Sequence, residues 1–274
     1  MDQSLHFIGQ LVAVWLVLLI INFVSYVVTS TSIFYALALF RNKGVEKHRI
    51  QQREASRADI RREVVSSLRT VLIFSIIHTA TYFGVRANLF TVHPGVQPLG
   101  MAYLLASIAA IVVAHDTYFY WLHRLMHHRL FFRRFHRTHH KSLTPTVYAC
   151  YALDTPEAVL LGCFVPLWLL AVPMQLPGLL IPLALLLVRN AIAHCGVELF
   201  ARGPDRSRRF GWLHTNSDHD LHHSMGRHNY GFLFSCWDRL MGTEYPASRI
   251  QVRGTPATGE IEGPDRLRQP EISF

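Results

Sequence analysis

The chain has 274 residues, half of them hydrophobic, and its mean hydropathy is +0.20. It carries 27 Lys and Arg against 18 Asp and Glu, which gives a formal net charge of +9. This charge lies next to apolar stretches and no nucleic-acid recognition motif accompanies it, so a nucleic-acid-binding protein is disfavoured. The four cysteines form no CxxC pair, which gives little support to a zinc ribbon or a disulfide framework.

Long apolar stretches predict membrane-spanning helices. A helix needs about 20 apolar residues to cross the bilayer core. The first stretch covers residues 8–30 and extends towards 40, the second covers 70–90, and the third covers 99–121. The last stretch, 158–193, is interrupted by four prolines and is predicted to form two helices in a hairpin. We therefore predict an all-α integral membrane protein, a transmembrane bundle of about four or five spans.

Basic residues indicate the orientation of these spans. Many of them lie in residues 41–69 and 124–141, each next to an apolar stretch. Loops with an excess of Lys and Arg face the cytoplasm, which places the N-terminus outside. The Glu/Arg spacing of residues 41–68 suits an amphipathic or solvent-exposed helix. The tail from residue 246 is polar and rich in Pro and Gly, and we expect it to be loosely structured.

Histidine is the unusual component of the composition. The chain has 17 histidines, and twelve of them fall in the windows 123–140 and 194–228. Histidine is the commonest metal ligand, so such clusters indicate a metal site. His123 and His127 are four residues apart and share one helical face. Segments 136–140 and 219–223 both have the spacing H-x-x-H-H, which again places three imidazoles on one face.

The number of histidines predicts two metal ions rather than one. Imidazole suits iron, zinc and copper, and a single zinc takes only three or four protein ligands. His194 follows the last apolar stretch and can join the two windows. The alternative to metal binding is that these histidines form a solvated basic face. This alternative is disfavoured because the spacing typical of metal-binding histidines recurs in three separate segments. The predicted metal ligands are His123, His127, His136, His139, His140, His194, His219, His222 and His223.

Four motifs occur in order between residues 100 and 245. They are Asp116-x-x-x-Tyr120-Trp121-x-His123-Arg124-x-x-His127, the two H-x-x-H-H boxes, and a closing stretch, Asn229-Tyr230-Gly231…Trp237-Asp238-Arg239-Leu240-x-Gly242-Thr243. In this order the motifs resemble the fatty acid hydroxylase/sterol desaturase superfamily of membrane di-iron enzymes. One box alone is a weak signal, but three boxes followed by the closing stretch are a strong one.

The resemblance implies a function and its cofactors. Members use two non-haem irons, O2, and electrons from a separate donor of the reductase, ferredoxin or cytochrome b5 type. We therefore expect a multi-pass membrane enzyme that hydroxylates or desaturates a C–H bond of an acyl lipid, sterol or isoprenoid, with hydroxylation as the first expectation. A cytosolic, histidine-rich helical cap would hold the di-metal site. The expected regions are membrane spans with a basic loop (1–98), a catalytic domain (99–245) and a polar tail (246–274).

Some positions depart from the pattern of the superfamily. Relatives with acyl-chain substrates often have H-x-x-x-H ending at the position of His194, but this chain has Asn190 at the first position. One ligand is therefore missing or supplied by another residue, for which His214 and His128 are the substitutes. The proline and glutamate that follow the second box in the family are only approximated by Pro156-Glu157.

Carboxylates near the histidines are candidates for supporting roles. Asp116 lies seven residues before His123 on the same helical face, and we expect it to hydrogen-bond a ligand histidine. A carboxylate at membrane depth is costly, which favours such a role over that of an ordinary polar residue. Asp220 is a candidate for the same role, together with Asp218 and Asp238. Asp116 and Asp220 are the predicted catalytic residues.

Two other classes of protein remain as alternatives. A haem-binding membrane electron carrier would need widely spaced histidine pairs that face each other within the membrane. A non-catalytic metal-binding or transport protein would place its ligands inside the spans at mid-depth.

Overall fold

The computed structural model describes residues 2–40, 45–51, 53–97, 99–199 and 211–245. These residues confirm the predicted all-α fold. The α-helices are α1 (Asp2–Phe40), α2 (Arg57–Arg86), α3 (Gly100–Met126), α4 (Phe132–Phe135), α5 (Arg137–His140), α6 (Thr155–Gly162), α7 (Phe164–Ala171), α8 (Leu176–Ala193), α9 (Asn216–Met225) and α10 (Cys236–Leu240). Two 3₁₀ turns, Val45–His48 and Val147–Tyr151, and two short strands, β1 (Val92–His93) and β2 (Met174–Gln175), complete the described elements. The predicted tail lies outside the described residues.

Within the described ranges, four helices are long and apolar enough to cross a membrane, namely α1, α2, α3 and α8. The second span begins earlier than its apolar stretch predicts, because α2 starts at Arg57 and takes in the end of the polar segment 41–68. A capping box fixes this start: the Ser56 side chain accepts from Asp59 N, and the Asp59 side chain accepts from Ser56 N. Polar residues 57–68 therefore form the first turns of a span rather than a separate helix.

The predicted hairpin over 158–193 forms with unequal arms. Its second arm is the span α8, whereas its first arm is split into α6 and α7, which are eight residues each and meet at Cys163. Proline has no N–H, and its ring clashes with the carbonyl four residues earlier, so Pro166 weakens the helix at Gly162, whereas α8 continues through Pro182. Taken together, the two helices cover Thr155–Ala171, an apolar segment shorter than any of the four spans.

The tip of the hairpin marks one end of the bundle. Strand β2 lies between α7 and α8 and pairs in parallel with β1, which lies between α2 and α3, through Val92 with Met174 and His93 with Gln175. Helix α3 has 27 residues and therefore rises about 40 Å from this end. Its last turns, and the C-terminus of α8, carry histidines to the opposite end.

Helix α9 brings in the second histidine window. Its N-terminus is held by a capping box, in which Thr215 and Asp218 exchange side-chain to backbone hydrogen bonds. It ends at Gly226, whose φ of +67° is the left-handed conformation that glycine adopts at low cost. These two signals confine the helix to the ten residues that carry the second H-x-x-H-H box.

Candidate metal centre

The structure brings all nine predicted histidines together in two groups. In each group, one possible ligand atom of every member lies within 4.8 Å of those of the others. The five-histidine group comprises His123, His127, His136, His140 and His222. The four-histidine group comprises His139, His194, His219 and His223. Both windows contribute to both groups, so the two windows lie at the same end of the bundle.

In the five-histidine group, the Nε2 atoms converge. His123 Nε2 lies 3.0 Å from His136 Nε2, and His140 Nε2 lies 3.0 Å from His127 Nε2 and 3.1 Å from His222 Nε2. An ion about 2.1 Å from its imidazole nitrogens keeps neighbouring nitrogens about 3.0 to 3.4 Å apart. The observed spacing is therefore that of ligands around one ion.

The four-histidine group has the same spacing. His219 Nε2 lies 3.0 Å from His194 Nε2 and 3.2 Å from His223 Nε2. The two groups are neighbours, because the ring centroids of His140 and His223 are 5.0 Å apart. The geometry suits two ions side by side.

Hydrogen bonds at Nδ1 fix the tautomer of several of these rings. His123 Nδ1 donates to the carbonyl of Tyr230 (2.9 Å), and His222 Nδ1 donates to the carbonyl of His228 (2.7 Å). A carbonyl only accepts, so Nδ1 carries the hydrogen and, in a neutral ring, Nε2 presents a lone pair. Such contacts orient a ligand imidazole towards a metal.

Burial keeps the imidazoles uncharged. Desolvation, with smaller contributions from other groups, lowers the pKa of His222 to about 3 and that of His194 to about 4. It also lowers the pKa of His136, His139 and His219 well below the usual value. Neutral rings with lone pairs about 3 Å apart repel one another unless a cation lies between them. The residues present therefore fit a pair of metal ions.

Glu157 touches this centre, although sequence reasoning gave it no role. Its Oε1 lies 2.7 Å from His136 Nδ1, and both side chains are 2% exposed. Burial raises the pKa of Glu157 well above its usual value. Glu157 and Asp154 also form the capping box of α6, with Pro156 in its first turn. The D-x-P-E spacing is the sequence signal that could have shown Glu157 to be fixed near the second box.

The substitutes considered for a missing ligand lie outside both groups. The Asn190 side chain donates to the carbonyl of Cys150 (2.5 Å), while its own carbonyl accepts from His194 Nδ1 (2.7 Å). His214 is buried, and its Nε2 donates to the carbonyl of Asn229 (3.3 Å). His128 accepts from Leu130 N at 3.4 Å. Asn190 therefore positions His194 through its backbone instead of offering a ligand atom.

The expected hydrogen bond from Asp116 to a ligand histidine is replaced by another contact. Asp116 Oδ1 accepts from the backbone N–H groups of Leu233 (2.7 Å) and Phe234 (3.3 Å). Seven residues of helix separate Asp116 from His123, a rise of about 10.5 Å, which is too far for direct contact. Asp220 Oδ1 accepts from Gln51 Nε2 (3.1 Å). Both aspartates are therefore hydrogen-bonded beside the centre, and their catalytic role stays a prediction.

Comparison with known proteins agrees with this geometry. The sequence profile of the fatty acid hydroxylase family matches residues 108–243, which contain all nine histidines. The chain belongs to this superfamily. This confirms the resemblance carried by the motifs, and the matched residues fall within the predicted region 99–245. No solved structure gives a significant match.

Curated relatives of this superfamily member are named for the oxidation of sterols or fatty acids. Human lathosterol oxidase is 26% identical over 197 residues, which cover 71% of this chain and 64% of the relative. A putative methylsterol monooxygenase of Dictyostelium discoideum is 27% identical over 202 residues, covering 69% and 73%. A fatty acid hydroxylase of a Lecanicillium species is 29% identical over 164 residues, covering 55% and 44%. The chain spans between half and two thirds of the mammalian lathosterol oxidases it matches.

Proposed function

We propose that this protein is a membrane-bound, non-haem di-iron oxygenase that hydroxylates, or desaturates, an unactivated C–H bond of a lipid. The observation that carries the proposal is the convergence of nine imidazoles, eight of them buried and that of His127 half-buried, into two adjacent groups at one end of a membrane helix bundle. The sterol and fatty acid oxidation named for the relatives supports a lipid substrate.

The two groups would each hold one iron. Bound there, the irons would supply the activation of O2 that attack on a C–H bond requires. The chain itself orients the rings: the carbonyls of Tyr230, His228 and Asn190 hold the Nδ1 hydrogens of three ligands, and Glu157 holds His136. Burial of the ligands keeps water away from the reaction.

A lipid would approach the centre from the bilayer side. The last turns of α3 carry His123, and the ring of Phe119 packs against it from the membrane side with centroids 5.1 Å apart. Phe119 in turn packs against Phe232 (4.9 Å). This aromatic surface leads from the apolar part of α3 to the five-histidine group, which suits a hydrocarbon substrate.

The centre would face the cytosol. Arg129, Arg133, Arg134, Arg137 and Lys141 are exposed beside the first histidine window, as the positive-inside rule expects of a cytosolic segment. A separate electron donor of the reductase, ferredoxin or cytochrome b5 type would reach the centre from this side. The histidine groups lie at helix ends, which disfavours both a haem carrier with facing pairs and a transporter with ligands at mid-depth.

Lipid analysis of a host with and without this protein tests the proposal. We expect the protein to produce a lipid that has gained one oxygen or lost two hydrogens. His139→Ala should abolish this change while the protein stays inserted in the membrane. His128→Ala is the matched control, since His128 lies in the same window but outside both groups, and it should retain the change. Product formation by His139→Ala would contradict the ligand assignment.

A further inference from the structure

The aromatic residues of the first and closing motifs form a continuous path that the proposed chemistry does not use. The path begins at Tyr230, whose ring packs against three rings of the five-histidine group. Its centroid lies 5.2 Å from that of His127, 5.5 Å from His222 and 5.7 Å from His123. Tyr230 is therefore in contact with more than half of this group.

From Tyr230 the path runs outward through three further rings. Tyr120 lies 6.4 Å from Tyr230 by ring centroids, and Trp237 stacks on Tyr120 at 5.9 Å. Trp121 lies 5.5 Å from Trp237 and is 43% exposed. The path thus joins the buried metal centre to the protein surface by Tyr and Trp rings alone, the aromatic side chains that lose an electron most readily.

Tyr120 has a built-in acceptor for its phenolic proton. Its hydroxyl lies 2.9 Å from Thr243 Oγ1, and Thr243 donates its single hydroxyl hydrogen to Asp238 Oδ1 at 2.7 Å. Because that hydrogen is already used, the Tyr120 hydroxyl must donate to Thr243. Arg124 donates to the Tyr120 oxygen at 3.2 Å, and its positive charge disfavours a phenol that has lost an electron but kept its proton.

Anchoring at the membrane interface does not account for this arrangement. An interfacial Tyr presents its hydroxyl to water, whereas the Tyr120 side chain is fully buried and its oxygen is enclosed by Arg124 and Thr243. Asp238 is also buried, and it accepts from the N–H groups of Tyr230 and Gly231. The proton acceptor is thereby held in the same loop that places Tyr230 against the histidines.

We propose that Tyr120 is a redox-active tyrosine that reduces the metal centre when an oxidising equivalent is not consumed by a lipid, and so protects the ligand histidines. The oxidising equivalent would arise at the metal centre, and this part of the inference rests on the proposed function. Tyr120 gives up one electron through Tyr230 and one proton to Thr243, while Thr243 passes its own proton to Asp238. Tyr120 then regains an electron from Trp237 and its proton by the reverse shift. Trp237 is reduced by Trp121, and an external thiol reduces Trp121 and is itself oxidised.

A photochemical experiment tests the path without bound iron, so it can succeed even if the proposed function fails. Cys236 is exposed and adjacent to Trp237, and it can carry a thiol-linked ruthenium photosensitiser whose position is verified by peptide mass spectrometry. After a flash with an external electron acceptor, we expect a tyrosyl radical by electron paramagnetic resonance. Ring-deuterated tyrosine should narrow its spectrum.

Three variants decide the outcome. Tyr120→Phe should lose the tyrosyl radical, whereas Tyr118→Phe, a matched change on the same helix outside the path, should keep it. Thr243→Val should slow radical formation and remove the solvent deuterium isotope effect, because it leaves the rings in place and breaks only the proton route. An unchanged tyrosyl radical in Tyr120→Phe, or an unchanged isotope effect in Thr243→Val, would overturn the proposal.

The protective role is measured on the iron-loaded protein. With O2 and reductant but no lipid, Tyr120→Phe should be inactivated in fewer cycles than the unaltered protein and should accumulate oxidised histidine in the five-histidine group. Equal lifetimes and equal histidine oxidation would refute protection. Because the iron content of both proteins is measured first, that result is distinguishable from failure of the metal assignment.

Discussion

Replacing Glu157 by Leu removes the side chain that holds His136 in the five-histidine group. Both side chains are 2% exposed, so water cannot take the place of the carboxylate. Leaving a buried donor unpaired costs about 1 to 3 kcal/mol. A tenfold change in affinity corresponds to about 1.4 kcal/mol, so this cost predicts metal binding that is weaker by about 5- to 150-fold. The range agrees with the typical loss of about 10- to 100-fold on removal of a residue that orients a ligand.

Glu157→Gln is the matched control for this change. Its amide oxygen can still accept from His136 Nδ1, so we expect metal affinity close to that of the unaltered protein. Competition with a chelator of known iron affinity measures both variants, and thermal unfolding of the metal-free forms separates the effect on binding from the loss of the α6 capping box. If Glu157→Leu binds iron as tightly as Glu157→Gln, the proposed role of Glu157 is wrong.

Two further predictions concern stability. Asp116→Ala leaves two partly buried backbone N–H groups without their acceptor, which should lower the free energy of unfolding by about 1 to 3 kcal/mol and lower the melting temperature in detergent; an unchanged melting temperature would contradict this. In the metal-free protein, His194 and His222 have folded pKa values of about 4 and 3, below the unfolded value, so the unfolded state takes up more protons. Stability should therefore be full above a pH of about 6.5 and fall as the pH decreases below it, which denaturant titrations between pH 7.5 and pH 5 would measure; a flat profile would contradict the neutral, buried state of these rings.

The histidine groups could be predicted because helical periodicity is a local property. His123 and His127, and the two H-x-x-H-H boxes, each place their imidazoles on one face of a helix whatever surrounds them. The two windows are separated in sequence by the α6–α8 hairpin, yet each contributes histidines to both groups. This arrangement depends on the tertiary structure. No spacing in the sequence shows that His139 belongs with His194 whereas His140 belongs with His222.

The partners of the carboxylates could not be predicted for the same reason. Asp116 was expected to contact a ligand because it lies on the face of His123, but the closing segment comes closer and supplies two N–H groups. Glu157 is part of a local capping box, yet its contact with His136 depends on how α6 packs beneath the second box. Pro166 favours the break between α6 and α7, but Pro182 lies inside the unbroken helix α8, so the prolines alone could not predict which helix breaks.

The metal content of the active, purified protein tests the central claim most directly. We predict two irons per chain, and we predict that His127→Ala loses iron from the five-histidine group while the four-histidine group keeps its own. Active protein that contains neither iron nor another redox metal would contradict the account.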